Sequence, residues 1–147
     1  MNKRSNIKTV KKNDVISYYQ LVVCSKKIVY FLKDITKNKT EIPSFIYKNK
    51  KFKKAFIQGL MDSDGWISKV NASDGYIRYR VGFKNISKWI FEFRDMIEDV
   101  DVRVGEIICN EDYFYFSINS YDYCSRVGFK IKRKRKIAKK CLLFYRE

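Results

Sequence analysis

Residues Phe56–Trp66 read FIQGLMDSDGW, a helix-periodic apolar start that runs into two acids and a glycine. A helix over about 51–63, stopped by Gly65, puts Asp62 and Asp64 at its C-terminal turn. The helix dipole favours cations there, by about 0.3–1 kcal/mol per group. Two carboxylates in that place need a metal, a donor or a functional reason. Ala55, Gly59 and Ser63 fall at i, i+4 and i+8, a stripe of small side chains on which a second helix can come close. Phe52, Phe56 and Leu60 form a neighbouring apolar stripe, with Ile57 and Met61 beside it for the core. Two such helices packed along the small stripe would bring four acids together. Converging carboxylates repel unless a cation neutralises them. Hard oxygen ligands suit Mg²⁺, which keeps waters and accepts phosphate oxygens. A D-x-D-G turn after any helix is spelled the same way, so this pattern alone leaves both readings open.

The rest of the composition narrows the choice. The chain has 147 residues, with 32 Lys and Arg against 16 Asp and Glu, a net charge of +16, and a pI near 9.7. Its length suggests one domain. Within it, residues 1–46 read as an arm plus a strand-helix segment and 47–147 as a second stretch. The charge exceeds what solubility asks for and points to a polyanion, nucleic acid first and an anionic membrane surface second. Four cysteines (Cys24, Cys109, Cys124, Cys141) lack C-x-x-C spacing, and there is no histidine. Both facts argue against structural zinc. The missing imidazole also excludes Ser-His-Asp triads and histidine-based nucleases. No apolar run approaches the roughly 20 residues of a membrane span. The basic start, MNKRSNIKTVKKND, lacks an apolar signal core and reads as a flexible arm of an intracellular protein, in cytoplasm, nucleoid or organelle.

Along the chain, ISYYQLVVC (16–24) reads as a strand, and Ser25 could cap a helix through KKIVYFLKDI. After the helix at 51–63, GWISKV and YIRYRVGFK read as strands joined by NASDG. SKWIFEFRDMIEDV reads as an amphipathic helix. VRVGEIIC and YFYFSINS follow as two more strands, and a shorter helix around YDYCSRVGF precedes the basic run KIKRKRKIAKK. The order is αββαββα. An offset of 95 aligns Tyr18 with Tyr113, Leu21 with Phe116 and Val23 with Ile118, so the first 45 residues echo the tail of the later unit.

These residues resemble a known family. Ile57-Gln58-Gly59-Leu60-Met61-Asp62-Ser63-Asp64-Gly65 resembles the nine-residue signature of the LAGLIDADG homing endonucleases, with Gln58 and Ser63 in place of small residues. The element order from 47 to about 140 is similar too, and 17–54 resembles what precedes the second motif of two-motif members. The resemblance implies an α+β fold with an antiparallel DNA-binding sheet, preceded here by the extra strand-helix segment. It also implies double-strand cleavage of a long, near-palindromic DNA site by a homodimer using Mg²⁺ (or Mn²⁺), with no membrane and no small-molecule substrate. Asp64 matches the catalytic, metal-binding acid, assisted by the Ser63 carbonyl. Asp62 matches an acid spent on capping, and Ala55, Gly59, Asp62 and Ser63 fall at the helix-helix interface. Lys132, with Lys134 as second choice, matches a catalytic lysine; Lys37 and Lys39 are its counterparts by the echo. Asn85 matches a polar residue that orients water.

Strand parity defines the DNA face. Ile77, Tyr79, Val81 and Phe83 alternate with Arg78, Arg80 and Lys84; Phe114, Phe116 and Ile118 alternate with Tyr113, Tyr115, Ser117 and Asn119. The polar face can track a groove and read base edges. With Ser68 and Lys69 on the first strand, and Lys130, Lys134 and Arg135 in the basic run, these form the expected DNA-contacting set. The alternatives are an RNA-binding intron maturase, a non-cleaving DNA-binding relative, and a polyanion-binding module.

Overall fold

A computed structural model describes residues 5–12, 15–23, 26–35 and 41–146. The chain divides into two compact units, 1–41 and 42–147. The first holds an antiparallel hairpin of β1 (Ser5–Lys12) and β2 (Val15–Val23), followed by helix α1 (Lys26–Ile35). Strand β2 and helix α1 are the expected strand-helix segment. The expected arm differs: its residues 5–12 form β1, paired along β2 with an irregularity at Val10/Lys11. Alternation in SNIKTVKK is hidden by its lysines, which an edge strand tolerates and uses against aggregation. The Ser25 cap, Lys37 and Lys39 lie outside the described residues.

The second unit runs α2 (Ser44–Tyr47), α3 (Lys50–Ser63), β3 (Trp66–Asn71), β4 (Ile77–Asn85), α4 (Ile90–Glu98), β5 (Ile108–Cys109), β6 (Phe114–Ile118), α5 (Ser120–Arg126) and α6 (Lys132–Phe144). Its sheet is antiparallel in the order β3-β4-β6-β5. Helices cover one face. Val81, Phe83, Phe116 and Ile118 point into that layer, against Ile57, Met61, Phe93 and Met96. The Phe83 and Phe93 rings pack with centroids 4.6 Å apart, and both side chains are fully buried. Each such side chain contributes about 1.5–3 kcal/mol of transfer free energy. On α4 the buried set Ile90, Phe93, Met96 and Ile97 keeps the i, i+3, i+6, i+7 spacing of a core stripe. Asp101, at φ 64, then turns the chain out of the helix.

Three elements differ from the sequence reading. The strand expected over 102–109 survives only as Ile108–Cys109, plus a bridge from Val104 to Ile118. Four steps from Val104 to Ile108 face three from Ile118 to Tyr115, so one residue is extra and the ladder breaks at a bulge. Gly105 sits there, its N–H donating to the Ser117 carbonyl at 2.8 Å; a Cβ on it would lie 2.7 Å from Ser117 Oγ. The basic run, to which the sequence reading gave no element, starts α6, which buries Lys134, Ala138 and Cys141. A short α2 also precedes the motif helix and buries Ile46.

Candidate functional site

The motif helix α3 begins at Asn49, whose side chain accepts the Lys51 N–H at 2.7 Å, an N-cap. Its inner face buries Ile57 and Met61 completely. Ala55, Gly59 and Ser63 form an exposed line along the opposite side, and a Cβ on Gly59 would meet nothing within 4 Å. Phe52, expected in the apolar stripe, stays 50% exposed. Gln58 turns off the exposed line, and its amide donates to the Val127 carbonyl at 3.0 Å at the end of α5.

The end of α3 carries its own counter-charge. Lys134, only 4% exposed, reaches under the helix terminus from α6. Its ammonium donates to the carbonyls of Met61 (2.7 Å), Asp62 (2.7 Å) and Gly65 (2.6 Å). Three donors meet three carbonyls, two of them in the last turn that a helix end otherwise leaves unpaired and the third just beyond the C-cap. Burial pulls the Lys134 pKa below the ordinary lysine value, and Arg133 adds to this; Asp62 and Asp64 oppose it. Asp62 returns the contact, accepting the Lys130 N–H at 3.0 Å and the Ile131 N–H at 3.3 Å just before α6. The two helix ends are thereby locked, a carboxylate at the positive end of α6 and a cation at the negative end of α3.

Asp64 is the C-cap residue, and its N–H donates to the Leu60 carbonyl at 2.8 Å. Its side chain is free of the core and lies 3.0 Å from the Ser63 hydroxyl. Gly65 follows because nothing larger fits: a Cβ would stand 2.8 Å from Met61 Cα. The chain then enters β3 with Trp66 laid over Gly82, where a Cβ would come within 2.2 Å of the indole. Asp64 and Trp66 form one side of an open cleft of about 530 Å³, lined also by Lys84, Asn85, Ile86, Asp112 and Tyr113.

No protein-family model and no curated protein matches the chain. Solved structures do. The chain is similar to I-DmoI in complex with DNA and Ca (18% identity, TM-score 0.60, covering 93% of this chain and 68% of that one). It is also similar to mesophilic variants of the homing endonuclease I-DmoI (18%, 0.58, 93% and 68%). A third match is I-DmoI with DNA and Mn (20%, 0.57, 86% and 64%), of whose length the chain spans just under two thirds. The fold is that of the LAGLIDADG homing endonucleases.

Within the homing-endonuclease fold, the expected residues sort clearly. Asp64 and Asn85 share the cleft. Asn85 has its carbonyl oxygen engaged by the Ser87 N–H at 2.9 Å, which leaves its amide N–H groups for other partners. Lys132, at the first turn of α6, does not line the cleft; Lys84 does, with its ammonium 4.5 Å from the Tyr113 ring centre. Register fixes the sheet faces. Ser68 stands opposite Arg80, Gly82 opposite Ser117 and Lys84 opposite Tyr115, all on the face away from the helices. Tyr113 and Tyr115 pack ring to ring at 6.0 Å.

Several residues differ from expectation. Lys69 stands opposite Tyr79, on the helix side, and is exposed because β3 is an edge strand. Asn119 is spent as the N-cap of α5, accepting the Asp122 N–H at 3.0 Å. Arg78 pairs with Asp74 in the β3–β4 turn. Lys134 is inside the protein, whereas Lys130 and Arg135 are exposed. Three cleft residues, Trp66, Ile86 and Asp112, were not in the expected set. Trp66 fell in the expected strand GWISKV, and Asp112 lay between two expected strands; only the β5–β6 turn, brought beside the end of β4, makes Asp112 a second carboxylate there. Among the described residues no three His, Cys, Asp or Glu side chains converge as a metal cluster, and no helix is long and apolar enough to cross a membrane.

Proposed function

We propose that this chain is a divalent-metal-dependent DNA endonuclease that acts as a homodimer and cuts both strands of a long, near-palindromic site. One observation carries the reading: Asp64 lies at a locked helix end, exposed, in a cleft with Asp112, Asn85 and Lys84 beside a basic and aromatic sheet face. Two carboxylates supply hard oxygens but too few for a six-coordinate ion, so the donor set suits a metal whose other ligands are waters, phosphate oxygens and a second chain. Mg²⁺ held there by Asp64, with the Ser63 carbonyl and Asp112, would supply an activated water and stabilise the leaving oxygen. The chain's own groups do the rest. Asn85 orients the water through its free amide N–H groups. Lys84 steadies charge on the phosphate, a role that the family resemblance implied for Lys132. Arg80, Ser68, Tyr115 and Ser117 lie along the duplex groove. The exposed line Ala55-Gly59-Ser63 receives the same line of a second copy, bringing two Asp64 side chains to one stretch of DNA.

The test is cleavage of a plasmid library carrying randomised palindromic inserts, with Mg²⁺. The wild-type protein linearises a subset, and chelation stops it. Asp64→Asn lowers the rate by about 10²–10³ or more while DNA binding persists. Equal cleavage by Asp64→Asn contradicts the assignment. Binding without any cleavage by the wild-type protein leaves a non-cleaving relative or a maturase.

A further inference from the structure

The cleft and the sheet face do not account for most of the charge on α6. Its inner side holds Lys134, Ala138 and Cys141, and its end stacks Phe144 on Tyr79 at 5.7 Å. Tyr79 belongs to the helix-covered side of the sheet, so α6 packs on that side and its exposed surface faces away from the outer, basic one. That surface carries Lys132, Arg133, Arg135, Lys136, Lys139 and Lys140.

The arrangement is unfavourable for an isolated protein. The first turn of α6 has no acid of its own; Asp62, held by the Lys130 and Ile131 N–H groups, is the single carboxylate there, against three cations that the dipole disfavours by about 0.3–1 kcal/mol each. Like-charged i, i+4 pairs (132/136, 135/139, 136/140) cost about 0.2–0.5 kcal/mol apiece. Among the described residues none of these cations has an ion-pair partner. An external polyanion removes both penalties.

The chemistry of the face selects the polyanion. Between Lys132 and Lys140 the exposed face carries no apolar side chain, and Leu143, exposed beyond it, is too little to seat a helix in a bilayer. No aromatic ring stands between the cations, so unpaired bases have no stacking platform. What remains is a strip of positive charge about 12 Å long without groups that read bases, suited to the phosphate backbone of a duplex.

We propose that the outward face of α6 is a second DNA surface, binding another duplex through its phosphates while the sheet face holds the first, so that the protein bridges two DNA segments. This rests on the reading of the sheet face as DNA-binding.

The test immobilises a short duplex on beads, adds the full chain, and measures retention of a second, fluorescent duplex. The wild-type protein retains it at low salt. Arg133→Gln/Lys136→Gln/Lys140→Gln, all exposed positions, keeps binding to the bead duplex and unfolds at the same temperature or slightly higher, since it removes two of the like-charged pairs. It lowers retention of the second duplex by about tenfold or more, and the salt slope of that retention falls by about 2.7. Undiminished retention by this triple variant, or none by the wild type, overturns the proposal. A fluorescent RNA, double- or single-stranded, retained in place of DNA overturns the choice of partner. The sheet variant Arg80→Gln/Lys84→Gln separates the two claims: it abolishes bridging but leaves single-duplex binding through α6. If it changes neither, the sheet reading fails, while the triple variant still decides whether α6 binds DNA.

Discussion

At the residue scale, Lys134 answers why two acids sit at the end of α3. The helix end is capped from below by a buried ammonium, so the local field at Asp62 and Asp64 is not the bare negative end of a dipole. Lys134→Met removes three donors and leaves the carbonyls of Met61, Asp62 and Gly65 without them. The expected loss is about 2–4 kcal/mol, read as a lower urea midpoint at unchanged slope. A loss under about 0.5 kcal/mol would mean that water replaces the ammonium at no cost. Asp122 offers a pH test. It is 7% exposed, and its carboxylate meets Arg103 Nε at 2.6 Å. That hydrogen bond, opposed by burial, holds the Asp122 pKa below the usual carboxylate value. The folded value lies below the unfolded one, so the stabilisation is complete above about pH 3.9 and disappears as pH falls through the folded value. Asp122→Asn should therefore cost stability at neutral pH and little in strong acid. Urea midpoints for both proteins, measured from neutral to acid pH, check this by converging at the acid end. Of these two residues, Lys134 was visible in the sequence only as one of many lysines. Nothing in a run of like charges marks the one that is buried.

At the element scale, legibility followed periodicity. Helix α3, the β3–β4 pair and α4 were readable because their apolar residues keep one period and the NASDG turn separates them. Gly75, at φ +81, closes that turn as a glycine can. Helix α6 was not readable because a lysine occupies one of its three inward positions, which breaks the apolar stripe. The strand at 102–109 was over-read because alternation continues through VRVGEIIC while the bulge at Gly105 interrupts pairing. Of the cleft residues, Asp64 and Asn85 were pointed to by the family resemblance, whereas Asp112 and Trp66 needed the tertiary fold. The small stripe of α3 gives a prediction of its own. A Cβ at Gly59 meets nothing within 4 Å in the single chain. Gly59→Ala should stabilise the isolated fold by about 0.8–1 kcal/mol through helix propensity. Gly59→Leu should leave the chain folded and weaken self-association, seen as a shift from dimer to monomer mass in light scattering. Unchanged mass with Gly59→Leu would place any dimer contact on another surface.

At the scale of the whole molecule, the surplus of positive charge is distributed, not uniform. Arg80 and Lys84 lie on the outer face of the sheet, near the cleft that holds Asp64, while the α6 strip faces the other way. Surface ion pairs such as Lys50–Asp101 and Lys53–Asp99 tie the start of α3 to the end of α4, and being exposed they contribute little to stability. Each chain supplies one Asp64 and the proposed double-strand cleavage needs two, so subunit mixing is the most direct test. A DNA fragment cut by the wild-type protein is digested with Mg²⁺ by wild type mixed with Asp64→Asn in rising proportion, after exchange of subunits. Two copies acting together predict that double-strand breaks fall as the square of the wild-type fraction. A fall in simple proportion to that fraction would mean that each chain cuts alone, and would contradict the dimeric site.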